Sequence, residues 1–81
     1  MKVEVEYTAQ LKVKTGVSAD SYELDEGARV SDLIKAVAAQ HDIAEFLPSS
    51  LLCFVGGTQA DDDQSLSDGD SVTLLSPISG G

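Results

Sequence analysis

The sequence predicts an α+β domain in which one helix covers one face of a mixed sheet. Three observations lead there. The chain starts with a strict two-residue alternation: Val3, Val5 and Tyr7 against Lys2, Glu4, Glu6 and Thr8. Its middle shifts to a helical period, with Val30, Leu33, Ile34, Val37 and Ala38 at i, i+3, i+4, i+7 and i+8. Its end alternates again, with Val72 and Leu74 facing one way and Thr73 and Leu75 the other. At 81 residues the chain makes one domain, residues 1–81, with a small core.

Each element has its own signals. The first strand has one buried and one wet face. Thr15-Gly16 signals a turn, and a second alternating stretch sets Tyr22 and Leu24 against Ser21, Glu23 and Asp25. The two strands read as an antiparallel hairpin with a long connection, closed by Glu26-Gly27. The helix begins at Ser31 or just before Val30 and ends near Gln40-His41-Asp42, and Pro48 bars its continuation. Asp32 suits the positive end of the helix dipole. Leu51 to Val55 is apolar on both faces, as in a strand covered on both sides or lying near the sheet centre. Gly56-Gly57 and Asp68-Gly69-Asp70 are turn signals, and a short extra strand is expected near Gln59. Leu66 is expected to plug the core, and Ser71 to Leu75 forms the last strand, stopped by Pro77.

The charge narrows the function. Fourteen acidic and five basic residues leave a net charge of −9. Such a chain repels phosphate backbones, and its two Phe, two Tyr and no Trp offer little stacking surface, so nucleic acid is excluded as a partner. An anionic membrane surface is disfavoured for the same reason. The opening residues contain no apolar run of the signal-peptide kind, and Leu51-Leu52-Cys53-Phe54-Val55 is far too short to span a bilayer. The expected location is the cytoplasm.

Few side chains carry chemistry. Cys53, the single cysteine, sits between Leu52 and Phe54 and reads as a buried, unreactive thiol. His41 is expected to face solvent or the helix dipole. Asp61-Asp62-Asp63 and Asp68-Gly69-Asp70 lack the spacing and bidentate Glu of a calcium loop, so a solvated acidic loop is expected. No metal cluster, nucleophilic triad or phosphate loop is present.

The terminus is more informative. The chain closes Leu75-Ser76-Pro77-Ile78-Ser79-Gly80-Gly81. A Gly-Gly end arises by chance in about one chain in 200. It has a physical use, because two residues without Cβ let a carboxylate thread a narrow channel. Leu75 is expected on the helix-free face of the sheet, with Ile78 just beyond, as an apolar pair fit to anchor a partner.

Taken together, Tyr7-Thr8-Ala9-Gln10-Leu11, Ala28-Arg29-Val30-Ser31-Asp32-Leu33, Leu66-Ser67-Asp68-Gly69-Asp70-Ser71-Val72 and the tail resemble, in order, segments of the MoaD/ThiS family of ubiquitin-like sulfur carriers. The resemblance is greatest to the MoaD branch, the small subunits of molybdopterin synthase. Two details depart from the family: Ser76-Pro77 stands where two prolines are common, and Gly56-Gly57 where an Asn is usual. The resemblance implies a β-grasp fold with a flexible tail over residues 76–81. It implies a carrier and not an enzyme. An ATP-using enzyme of the MoeB type would adenylate the Gly81 carboxylate, and a cysteine desulfurase or rhodanese would supply the sulfur that makes it a thiocarboxylate. A larger MoaE-type subunit would then move that sulfur to a pterin precursor. Gly81 would bear the sulfur, Gly80 would fit the channel, and Leu75, Pro77, Ile78 and Ser79 would meet the partner. No cofactor would be bound, and ATP would belong to the activating enzyme. A carrier for thiazole synthesis, a protein modifier joined through Gly81 and a plain interaction domain remain open alternatives.

Overall fold

The computed structural model describes residues 1–8, 10–41 and 51–75. In chain order these form β1 (Lys2–Thr8), α1 (Gln10–Thr15), β2 (Ala19–Glu23), α2 (Val30–Gln40), β3 (Leu52–Val55), β4 (Thr58–Ala60) and β5 (Ser71–Leu75). The five strands make one sheet in the order β2-β1-β5-β3-β4. All neighbours pair antiparallel except β1 and β5, which run parallel at its centre. A parallel pair needs a long crossover. Here everything from α1 to β4 lies between its two strands.

The alternation of β1 and β5 is realised. Val3, Val5 and Tyr7 are buried together with Val72 and Leu74, and they meet Val30, Leu33 and Val37 of α2. Ile34 and Ala38 flank that stripe half-buried, as the helical period predicts. Leu66 is buried in the same core, and its amide donates to the Ala28 carbonyl at 2.9 Å.

The start of α2 shows why the polar loop after β4 is needed. The first amides of a helix have no partner within it. The Arg29 amide donates to Asp32 Oδ2 at 2.9 Å, so Asp32 reaches back to the residue before the helix. The Val30 and Ser31 amides donate to the Gln64 and Asp62 carbonyls, each at 3.0 Å. The loop is thus the cap of the helix as well as the path to Leu66. At the far end the His41 amide closes the last turn on the Val37 carbonyl at 2.8 Å. Pro48 lies outside the described residues.

Three sequence expectations need correction. The long β1–β2 connection contains a second helix, α1, held by the buried side chain of Leu11. β2 begins two residues before Ser21 and ends at Glu23, with Asp20 and Tyr22 half-buried on the helix side opposite Val5 and Val3. β3 is covered on one side only: Cys53 is buried, whereas Leu52, Phe54 and Val55 are half-buried. It sits between β5 and β4, one strand from the centre, which agrees with the other expectation, a place near the sheet centre. The extra strand near Gln59 is present as β4, and the two-residue turn before it puts Gly56 and Gly57 at φ +59° and +86°. That mirror-image turn matches the twist of a tight hairpin and requires positive φ at both positions, which glycine adopts without strain.

Leu33 is fully buried at the centre of the helix–sheet contact. Leu33→Ala is expected to cost about 2–5 kcal/mol, read as a shift of the denaturant midpoint with little change in slope.

Candidate functional site

The site is built around the end of β5. In the parallel register Thr8 lies opposite Leu75, so β1 and β5 finish at the same end of the sheet. The Thr8 hydroxyl donates to the Leu74 carbonyl at 3.1 Å and ties the two strand ends together. Leu75 is half-buried and out of phase with buried Val72 and Leu74, which places it on the face away from α2, as expected. Across β3 it pairs with Leu52, and Thr73 pairs with Phe54. Leu52 and Phe54 therefore join Leu75 in an apolar corner of the open face. Reading β3 as covered on both sides had hidden them. The signal was the two-residue period itself: Cys53 and Val55 lie opposite buried Leu74 and Val72, so Leu52 and Phe54 point to the other face.

The rest of the open face is polar. On β1 it carries Lys2, Glu4, Glu6 and Thr8, all exposed but the half-buried Thr8. The Ser21 hydroxyl donates to Glu4 Oε2 at 2.6 Å, and Lys2 Nζ stands 3.9 Å from Glu4 Oε1. The face thus runs from acidic at its β1–β2 side to apolar where β5 ends. Of the residues expected to act, Leu75 is placed by the structure, and Pro77, Ile78, Ser79, Gly80 and Gly81 lie outside the described residues.

The acidic turn before β5 is structural. The Lys2 amide donates to Asp68 Oδ1 at 2.7 Å, and the Ser67 amide to Asp70 Oδ2 at 2.8 Å. The Gly69 amide donates to the Lys2 carbonyl at 2.7 Å, and the Glu4 amide to the Asp70 carbonyl at 3.0 Å. These bonds fix the register in which β5 enters beside β1. Among the described residues no cluster of three His, Cys, Asp or Glu side chains is placed to hold a metal ion. None of their helices is long and apolar enough to cross a membrane.

Cys53 is buried on the helix side, opposite Leu74. Burial, and secondarily the charge of Asp62, push its thiol up to about 11. Little thiolate exists at neutral pH, so this side chain is a poor nucleophile.

His41 departs from expectation. Its Nε2 lies 2.8 Å from Asp20 Oδ2, which also accepts the Tyr7 hydroxyl at 2.9 Å. The hydroxyls of Tyr7 and Tyr22 are 3.2 Å apart, and the Tyr7 and His41 rings meet edge to face at 5.7 Å. The bond from His41, then that from Tyr7, holds the Asp20 carboxyl below its ordinary range against the opposing effect of burial. Burial, followed by its bonds to Tyr22 and Asp20, raises Tyr7, and burial likewise raises Tyr22. An ionised carboxylate only accepts, so Nε2 carries the hydrogen. The cluster clamps the end of α2 onto β2, a role invisible in a sequence where His41 and Asp20 are far apart.

A β-grasp sheet whose last strand leads straight into a glycine-terminated tail defines the ubiquitin-like class of domain. The ThiS family matches residues 5–81, through the final glycine, and the chain belongs to that family. It is 29% identical, over the full length of both chains, to the molybdopterin synthase sulfur carrier subunit of Chlamydomonas reinhardtii. It is 32% identical to the putative molybdopterin converting factor subunit 1 of Pyrococcus furiosus, with a TM-score of 0.83 over 96% of this chain and 99% of that one. SAMP1 from Haloferax volcanii superposes with a TM-score of 0.89 over all of both chains, at 22% identity, a likeness of fold.

Two outcomes follow. Cys53 is expected to react with thiol reagents only at the rate of global or local opening, measured against a denatured control, and Cys53→Ala is expected to remain folded. Because the folded pKa of Asp20 is depressed, its contribution to stability is present above the unfolded value of about 4 and is lost as pH falls through the folded value. Denaturant melts along an acid series should therefore show a shallower acid limb for Asp20→Asn than for the wild type.

Proposed function

We propose that this chain is a sulfur carrier, the small subunit of a molybdopterin synthase, acting through the carboxylate of Gly81. The observation that carries the reading is the family match running through Gly80-Gly81, on a fold whose last strand delivers those residues from beside the apolar corner of Leu75, Leu52 and Phe54.

The chemistry needs little from the domain itself. The Gly81 carboxylate attacks the α-phosphorus of ATP on an adenylating enzyme of the MoeB type, forming an acyl-adenylate and releasing pyrophosphate. The outer sulfur of a persulfide carried by a cysteine desulfurase or rhodanese attacks the acyl carbon and AMP departs, and a thiol then reduces the resulting acyl disulfide to leave a thiocarboxylate. The tail then enters a larger, MoaE-type subunit, which transfers the sulfur to a pterin precursor and returns the carboxylate. Gly80 lets the chain pass where a Cβ would collide. Leu75, Pro77, Ile78 and Ser79 meet the partner, and the acids around them supply orientation and association rate. The catalytic groups belong to the partners, ATP is bound by the activating enzyme, and this chain holds no cofactor of its own. In this reading the chain works in the cytoplasm, and its net charge of −9 keeps it from nucleic acid and anionic membranes.

Incubation with the adenylating enzyme, ATP and a sulfur donor, followed by mass spectrometry, is expected to show one C-terminal oxygen replaced by sulfur. An isopeptide conjugate in its place would mark a protein modifier, and an unchanged mass a plain interaction domain. A product that supports thiazole but not pterin synthesis would reassign the pathway. Deleting Gly80-Gly81 is expected to change stability by less than about 0.5 kcal/mol and to abolish ATP–pyrophosphate exchange. Persistent exchange by the truncated chain would exclude the tail as the reactive group.

A further inference from the structure

Of the three stretches of more than ten residues that lack Asp and Glu, only one carries basic residues. From Tyr7 to Ala19 there is no Asp or Glu, and two of the five basic residues, Lys12 and Lys14, fall in that gap. The gap is α1 and its exit. Leu11 is fully buried, which turns the opposite side of this short helix outward. Lys12 and Lys14 are exposed, Val13 between them is 78% exposed, and Val17 beyond the helix is 39% exposed.

Local hydrogen bonds shape the exit of this helix. The Gly16 amide closes the helix on the Lys12 carbonyl at 3.1 Å, and Gly16 turns the chain at φ +77°. The Thr15 hydroxyl donates to the Val17 carbonyl at 3.0 Å and accepts from the Val17 amide at 3.3 Å. The Tyr7 amide then binds the Ser18 carbonyl at 2.9 Å, and the chain enters β2. Val13 contributes neither core packing nor helix propensity, since β-branched residues are poorer helix formers than Lys or Ala. A lone exposed valine is ordinary. Two, set among lysines on an otherwise acidic molecule, make a patch of distinct chemistry.

Its place matters as much as its composition. α1 packs against β1 and β5. Because Thr8 lies opposite Leu75, α1 stands at the end of the sheet where β5 passes into the last six residues. A protein that receives the tail approaches that end. We propose that Lys12, Val13, Lys14 and Val17 form a second docking surface for the tail-accepting protein, whose matching surface presents carboxylates around a shallow apolar socket. The proposal rests on the tail-donor reading above. A second copy of this chain is a poor occupant, because both copies would carry a charge of −9. An anionic bilayer is opposed by the same net charge. With the tail and α1 engaged together, the second contact becomes intramolecular and the domain can no longer rotate freely about its tail.

The test measures binding of the wild-type chain, Lys12→Glu/Lys14→Glu, Val13→Asp and Leu75→Glu to the larger synthase subunit and to the adenylating enzyme. Calorimetry is run at low and high salt, with folding checked by denaturant melts. Lys12→Ala/Lys14→Ala serves if the charge reversal disturbs α1. For at least one of the two proteins, both α1 variants are expected to bind roughly tenfold more weakly or worse, and charge reversal should remove much of the salt dependence. Binding by folded α1 variants within about twofold of wild type, for both proteins, overturns this surface and leaves the tail-donor reading intact. Failure of the wild-type chain to bind either protein overturns that reading, and this surface with it. Flotation with phosphatidylserine vesicles, or self-association in the ultracentrifuge, that disappears in the α1 variants would assign the patch to a bilayer or a second copy and overturn the proposal.

Discussion

The parallel pairing of β1 with β5 is the constraint on which the other features depend. It brings the first and last strands together in the middle of the sheet, with Val5 opposite Val72 and Tyr7 opposite Leu74. Such long-range pairs are costly to close before they reward the chain. They are supported on one side by α2, whose Val30, Leu33 and Val37 complete the same buried cluster. They are held in register at one end by the turn around Gly69, which binds Lys2 by both its backbone and Asp68. The other end is tied by Thr8 to the Leu74 carbonyl. Everything proposed for the tail and for α1 follows from this pair ending together.

The acidity of the molecule has three parts that behave differently. Asp32, Asp68 and Asp70 accept backbone amides and are pieces of architecture. Asp20 is a third kind of element, a carboxylate that gathers Tyr7 and His41 from two other segments. The exposed acids elsewhere build the field in which a partner is met. Counting charges therefore overstates how much of the −9 is free to act in recognition. It also hides that the one long acid-free stretch with basic residues, Lys12 and Lys14, is displayed on α1.

Strands β1 and β5 and helix α2 were legible because each buries one complete face over enough residues for a period to show. α1 was not. Six residues make fewer than two turns, and Leu11 and Val13 sit two apart, as they would in a strand. Only tertiary packing distinguishes them, since one is buried and the other almost bare. β3 and its place near the sheet centre were legible, but its exposed face was not, for the opposite reason. Leu52 and Phe54 are as apolar as a core strand, and sequence alone cannot say that they look out from the sheet toward something else. His41 could not be placed without knowing that α2 ends over β2. The proposed reactive end, Gly80-Gly81, stands out in the sequence because it is a signature of composition and needs no fold to be noticed.

Parallel strands share a polarity, and that sets the two termini apart. Met1 begins β1 at the end opposite Leu75, so the seven residues of β1 separate them by about 23 Å. Its ammonium donates to the Leu24 carbonyl at 2.7 Å and lies 3.8 Å from Glu23. An affinity tag or fluorescent reporter fused before Met1 would replace that ammonium with an amide and loosen this corner. It would still stand well clear of the strand end that feeds the tail. A label at the start of β1 thus leaves room for a partner at the proposed reactive end.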